Sequence, residues 1–220
     1  MKRSKRLQRL CAEIKACTVF ADVGCDHGYC AEYVLKNGLC GRCYISDISA
    51  ASLKKAERLL SEYIAEGIAY SFCCAGMELI PKDADQVLIA GMGGEEILSI
   101  LREGFLPERL VLQPMKNAAK VRKYLLEEGY SITRDYTFFD GKYYDVISAE
   151  RCAAVREYDE KSVWFGYDNL HHPTQEFLDY LKAETEKCER QKHSAPTQVQ
   201  AVEERLELLR EVWNETSRNL

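Results

Sequence analysis

The chain has 220 residues, 46% of them apolar and 30% charged, with a formal net charge of −5. That length holds one large domain, or one ordinary domain with an appendage, and no run reaches the roughly 18 apolar residues of a membrane span. The acidic balance excludes a global electrostatic attraction to nucleic acid, so any RNA-binding surface has to be local.

The first residues, Met1-Lys2-Arg3-Ser4-Lys5-Arg6, are basic, and no apolar signal core follows them, so export is not expected. Residues 4–16 carry Leu7, Leu10, Cys11 and Ile14 at helical spacing and predict a basic amphipathic helix. The stretch Val19 to Tyr29 then reads as an apolar strand, a Gly-containing turn and the start of a helix that Gly38 ends. Strand, turn and helix in that order make the nucleotide-cofactor cradle of a doubly wound α/β sheet. Asp26 is expected near the helix N-terminus, where a phosphate loop needs bare backbone and a carboxylate would repel a pyrophosphate. It suits instead a ligand with a cationic sulfonium and an ammonium and no phosphate, of which S-adenosyl-L-methionine is the common example. His27 and Tyr29 make the turn polar for its position, although a lone histidine is more often structural.

Cys43 to Asp47 is the second strand, and residues 50–64 the second helix of the cradle pattern. Asp47 stands roughly 20 residues past the glycines, where such folds grip ribose hydroxyls. The competing role is to cap the helix that follows, and the spacing favours the ribose. Ile68–Cys74 is a third strand, ending at Ala75-Gly76-Met77-Glu78, and Gln86–Ala90 a fourth, apolar enough to be buried on both faces. Gly91-Met92-Gly93-Gly94 follows it directly, at the carboxyl end where open sheets bind ligands and where the reacting base would sit; a plain tight turn is the alternative. A helix over Glu95–Arg102, a strand over Arg109–Gln113 and a helix over Ala118–Glu128 continue the alternation, which argues for a parallel sheet. Gln113 offers a planar amide to a base edge, or else caps the sheet.

The pattern then changes. Ser131–Phe139 and Lys142–Arg151 are strand-like runs joined by Asp140-Gly141, a strong hairpin signal. A parallel nucleotide-binding sheet closed by an antiparallel hairpin is the class I Rossmann-like methyltransferase fold. Beyond residue 155 the strands stop. Thr174–Lys192 and Gln198–Arg218 predict two helices broken at His193-Ser194-Ala195-Pro196, with Val199, Val202, Leu206, Leu209 and Trp213 as a coiled-coil seam and Leu178, Leu181, Thr185 and Cys188 as its weaker counterpart. The division expected is a methyltransferase domain over 1–157 and a helical coiled-coil hairpin over 158–220.

Ten cysteines are many, but Cys40-Gly41-Arg42-Cys43 has no second pair or histidines at ligand spacing, so no metal is expected and the thiols read as reduced and mostly buried. Lys116, Lys120, Arg122, Lys123, Arg134 and Lys142, with Lys2, Arg3, Lys5, Arg6 and Arg9, could form a local RNA patch or merely a solvated face.

With these residues laid out, the chain resembles the TrmK family of bacterial tRNA (adenine-N1)-methyltransferases over nearly its whole length. The resemblance rests on Ser4-Lys5-Arg6-Leu7, on Ala21 to Tyr29, on Ser46-Asp47-Ile48, on Ile89 to Gly94, on Leu112-Gln113-Pro114, on Phe139 to Tyr144 and on Phe165-Gly166. It departs at Gly28, at Cys30-Ala31 and at Met115, where Asn is usual and Asn117 stands near. It implies transfer of methyl from S-adenosyl-L-methionine to N1 of adenine 22 in tRNA by a cytoplasmic enzyme whose helical tail helps hold the RNA. It also implies Asp26, His27 and Tyr29 as the catalytic group, and Asp22, Gly24, Asp47, Ile48, Gly76, Met77, Gly91, Met92 and Gln113 around the cofactor. The rivals are a methyltransferase of another RNA or a small molecule, and a non-catalytic RNA-binding protein on the same fold. Asp26 and the hairpin set a dehydrogenase last. The oligomeric state is left open.

Overall fold

A computed structural model describes residues 4–151, 154, 156–194 and 199–218. A seven-stranded sheet is built from β1 (Cys17–Val23), β2 (Cys40–Asp47), β3 (Ala69–Cys73), β4 (Gln86–Met92), β5 (Arg109–Pro114), β6 (Ser131–Phe139) and β7 (Tyr143–Glu150) in the order β3-β2-β1-β4-β5-β7-β6. The first five are parallel, and β7 runs antiparallel to both β5 and β6. The hairpin closes at Asp140-Gly141, with Gly141 at φ 76° and the Asp140 N–H donating to the Lys142 carbonyl. Strand order reverses between β1 and β4, and a crevice opens there at the carboxyl ends.

Helices cover both faces. One face carries α1 (Lys5–Glu13), α2 (Tyr29–Lys36), α3 (Ala50–Leu59) and α4 (Ser61–Ala65), which bury Leu10, Ala31, Val34, Leu53 and Leu60 against Phe20, Ile45 and Leu88. The other carries α5 (Gly94–Glu103) and α6 (Ala118–Glu127), whose Ile97, Leu101, Val121 and Leu125 pack on Val87, Ile89 and Leu112. Each such valine, leucine, isoleucine or phenylalanine, fully buried, contributes about 1.5–3 kcal/mol. β4 is enclosed on both sides, as its unbroken apolar run requires.

Three local readings change. The helix expected over 50–64 breaks at Leu60, which is fully buried and turns the chain at φ −102°, ψ 14°. β2 begins at Cys40, because parallel pairing with Cys17 extends it through the exposed Gly41 and Arg42 that hid it in the sequence. Two short helices, α7 (Glu160–Phe165) and α8 (Tyr167–His171), fill a stretch that had no element assigned. Asp159 caps α7 by accepting the Ser162 N–H at 2.7 Å, and Gly166 at φ 88° separates the two.

α7 and α8 are fixed to the sheet edge by a buried polar seam. Arg122 has 1% of its side chain exposed; its Nε donates to both oxygens of Asp135 at 2.9 Å, and its Nη2 reaches Asp145 at 3.1 Å. Tyr158 donates its hydroxyl to Asp135, the Asp135 N–H donates to Asp168, and the Thr137 N–H donates to Asn169. Burial pushes the Asp135 carboxyl up while Arg122 pulls it down. Arg122 therefore belongs to the interior and not to the basic surface on which it was counted.

The last helices, α9 (Gln175–Ser194) and α10 (Val199–Thr216), lie antiparallel, as the ion pairs Lys192–Glu203 and Glu189–Arg210 require. Phe177, Leu178, Leu181, Cys188, Leu206, Leu209 and Val212 make a separate apolar cluster between them and Phe165. α9 continues through the break expected at His193; Ala195, Pro196 and Gln198, like Lys2 and Arg3, lie outside the described residues. Among the described residues no helix is long and apolar enough to cross a membrane, and no group of His, Cys, Asp and Glu could hold a metal ion. The nine described cysteines are free thiols, six of them buried.

Candidate active site

The turn after β1 is shaped by three residues with positive φ in five positions, Gly24 at 70°, Asp26 at 48° and Gly28 at 73°. Glycine adopts that backbone at no cost; Asp26 does so under strain, which turn and active-site positions tolerate. The turn is stitched to β2. Gly24 and Cys25 donate their N–H groups to the Ser46 carbonyl, and the Asp26 N–H donates to Asp47 Oδ2 at 3.0 Å. Ser46 is fully buried and also donates its hydroxyl to the Gly76 carbonyl at 2.9 Å, so one residue, through its carbonyl and its side chain, ties the first turn to the loop after β3.

The acid at the start of α2 is Asp22, not Asp26. Asp22 Oδ2 accepts the Ala31 N–H at 3.2 Å, where a helix end favours negative charge. Burial pushes its carboxyl up to about 7; the charge of Asp47 adds to the rise and the Ala31 N–H opposes it. Asp26 instead projects at the mouth of the turn with 67% of its side chain exposed, its Oδ2 3.7 Å from His27 Nε2. The rings of His27 and Tyr29 stack with centroids 5.5 Å apart.

These residues line a cavity of about 650 Å³ at the carboxyl edge of β1, β2 and β4. Its wall includes Asp22, Gly24, Asp26, His27, Tyr29, Asp47 and Ile48, then Gly76 and Met77 from the loop after β3, then Gly91 and Met92 from the end of β4. The site residues expected from the sequence thus converge, with one exception. Gln113 is fully buried at the end of β5 and absent from this wall; its amide accepts from Arg6 Nε at 2.8 Å and donates to the Pro114 carbonyl. Asp47 does not cap α3, since Ser49 takes that role by accepting the Ser52 N–H. Asp47 accepts the N–H groups of Asp26 and Ser49. A carboxylate accepts about four hydrogen bonds, so room remains for a ribose diol.

Two helices enter the wall unannounced: α1 with Arg6, Leu7 and Leu10, and α5 with Glu96, Ser99, Ile100 and Glu103. The signal for α5 was the Gly91–Gly94 loop that aims it; nothing local told where α1 would dock. Among the described residues, Asp22, Asp26, Asp47, Glu78, Glu96 and Glu103 give the cavity six carboxyls against a single arginine. Away from Arg6 such a wall concentrates cations and disfavours phosphates, and it fits a sulfonium-and-ammonium ligand of nucleoside size.

The methyltransferase-domain family model matches residues 3–147. The tRNA (adenine(22)-N(1))-methyltransferase of Bacillus subtilis is 33% identical over 172 residues, covering 76% of this chain and 72% of that one. The crystal structure of the B. subtilis m1A22 tRNA methyltransferase TrmK superposes with a TM-score of 0.83 at 26% identity, over 96% of this chain and 99% of that one. M. capricolum TrmK, solved with S-adenosyl-homocysteine, shares the fold with a TM-score of 0.89 at 20% identity, over 98% and 100% of the two chains. A shared methyltransferase domain, a closely similar sequence and a fold matched end to end place the chain in the TrmK family of tRNA (adenine(22)-N(1))-methyltransferases.

Proposed function

We propose that this chain transfers the methyl group of S-adenosyl-L-methionine to N1 of adenine 22 in tRNA. The observation that carries the reading is the acid-lined cavity at the β1–β4 switch point, with Asp26, His27 and Tyr29 at its mouth, in a chain of this family. Asp47 holds the ribose through its remaining acceptor positions. Asp22, Gly24, Ile48, Gly76, Met77 and Met92 enclose the rest of the cofactor, the ionised Asp22 facing its positive charge.

S-adenosyl-L-methionine, when bound, supplies a methyl carbon that accepts the adenine N1 lone pair as its bond to sulfur breaks. The protein's task is alignment, because N1 is already a nucleophile. The stacked rings of His27 and Tyr29 give the turned-out base a flat surface. Methylation leaves the base cationic, and the Asp26 carboxylate stabilises that charge and takes a proton from the exocyclic amine. Met115 and Asn117, on the loop beside Gly93 and Gly94, border the same approach.

The supporting division is a methyltransferase unit over 1–157 and a helical unit over 158–220 that extends the surface offered to tRNA. A cytoplasmic location follows from such a substrate. The test is incubation with methyl-labelled cofactor and unmodified tRNA, followed by nucleoside mapping. Label in 1-methyladenosine at position 22 is the expected result. Label elsewhere refutes the assignment, and failure to bind S-adenosyl-L-methionine refutes the class.

A further inference from the structure

Among the described residues Arg6 is the one arginine or lysine on the cavity wall, and it is held there by partners far apart in sequence. Its backbone N–H donates to Asp140 Oδ2 at the hairpin tip, 2.9 Å away. Its Nε donates to Oε1 of the buried Gln113 at 2.8 Å. The guanidinium lies 5.5 Å from the centre of the Tyr144 ring, which Lys142 also overlies at 5.4 Å. The neighbouring Lys5 pairs with Glu176 of α9, so the start of α1 is pinned from two sides.

The fork reaches Gly91, the penultimate residue of β4. A Cβ placed at Gly91 would stand 2.7 Å from Arg6 Nη2, and the backbone there has φ +84°. Gly91 is therefore the seat of the guanidinium, for reasons of both space and backbone. Gln113 engages only Nε, and it is a neutral partner. No carboxylate pairs with Arg6 among the described residues, whereas Lys120 pairs with Glu95, Lys123 with Glu127 and Arg134 with Glu13. The Nη groups are thus an oriented, uncompensated pair of donors facing the cavity.

An oriented guanidinium fork matches a phosphate or carboxylate. Two anions could meet it here, the carboxylate of the cofactor and a phosphate of the RNA. Position favours the phosphate. Asp47 and Gly76, at the end of β2 and beyond β3, line one side of the cavity, whereas Arg6 is held by β4, β5 and β7 on the side toward the hairpin, and the cofactor affinity of an Arg6 variant separates the two anions. A fixed cation against the adenine ring would oppose the charge that methylation creates, which leaves the backbone of the turned-out nucleotide as its partner. We propose that Arg6, aimed by Gln113 and seated on Gly91, receives the phosphate of the everted nucleotide, an inference that rests on the RNA-methylating reading above. Gln113 is then a positioning residue.

The test compares wild type, Arg6→Ala, Arg6→Lys and Gln113→Leu in tRNA methylation kinetics, in tRNA binding against salt concentration and in S-adenosyl-L-methionine calorimetry. Arg6→Ala should raise the KM for tRNA roughly tenfold or more, because it removes one charge-assisted hydrogen-bonding partner of the phosphate, and leave the cofactor Kd unchanged. The slope of log affinity against log salt should fall by about 0.7 to 0.9, the value of one neutralised phosphate. Arg6→Lys should restore the slope and only part of the KM. Gln113→Leu should raise the KM with the slope kept, since the charge remains while its aim is relaxed. Arg6→Ala with an unchanged slope and KM in an otherwise active enzyme overturns the proposal alone, as does a loss of cofactor affinity, which would assign the fork to the cofactor carboxylate. A wild-type protein that binds cofactor and methylates no RNA overturns the functional reading itself.

Discussion

Asp22 and Asp26 stand four residues apart and have opposite surroundings. Asp22 is buried against the first turn of α2, and its carboxyl titrates at about 7 against an ordinary value of 3.8. Because the folded value is the higher, its contribution to stability is full below the unfolded value of 3.8 and is lost as the pH climbs through about 7. The cofactor-free protein should lose stability on the order of a few kcal/mol across that window, and its affinity for the cationic cofactor should rise over the same range. Asp22→Asn should flatten both curves in pH-dependent denaturation and calorimetry; unaltered curves would remove Asp22 from the account. Asp26 is exposed and holds its strained backbone at the cavity mouth. Asp26→Asn should lower kcat by roughly a hundredfold or more, the usual range for a lost general base or charge stabiliser, with cofactor affinity kept. Full turnover would sink its catalytic role. Both acids were legible in the sequence because their turn is local, fixed by residues 22 to 28. Their division of labour was not, since it depends on which carboxylate folds back onto the Ala31 N–H.

Among the elements, the sheet and its hairpin were readable because each strand carries its own apolar run and Asp140-Gly141 its own turn. α7 and α8 were not, being five or six residues long and held by tertiary polar bonds instead of an apolar stripe. Arg122 shows the same limit. Between Lys120 and Lys123 it looks like a solvated charge, yet the partners that bury it, Asp135 and Asp145, come from β6 and β7. Arg122→Ala leaves a buried carboxylate uncompensated, and breaking such a pair costs about 3–5 kcal/mol. Thermal denaturation should show that loss, and hydrogen exchange should show α7 and α8 opening first. A change of under about 1 kcal/mol would mean that the seam is solvated and contributes as little as a surface pair. The docking of α1 was likewise out of reach, because Arg6 and Gln113 meet across 107 residues. Gln113 is buried off the cavity wall, and in the proposal above that hydrogen bond makes it the residue that aims Arg6.

On the scale of the whole molecule, charge is distributed by task. The net charge of −5 offers RNA no general attraction, and six acids line the cavity where a cationic cofactor would sit. Arg9, Lys116 and Lys142, none in an ion pair among the described residues, accompany Arg6, with Arg9 over the Tyr136 ring, Lys142 over that of Tyr144, and Lys116 against Gly93. These basic side chains, spread across α1, the β6–β7 hairpin and the loop before α6 and most of them beside aromatic rings, are the local surface that the proposed reading offers to RNA and that the total charge conceals. The central claim is that this mouth presents one adenine to the cofactor. It is tested most directly by methyl incorporation into two tRNA transcripts identical except for adenine or guanine at position 22. The account predicts incorporation into the first alone; equal incorporation into both would contradict it.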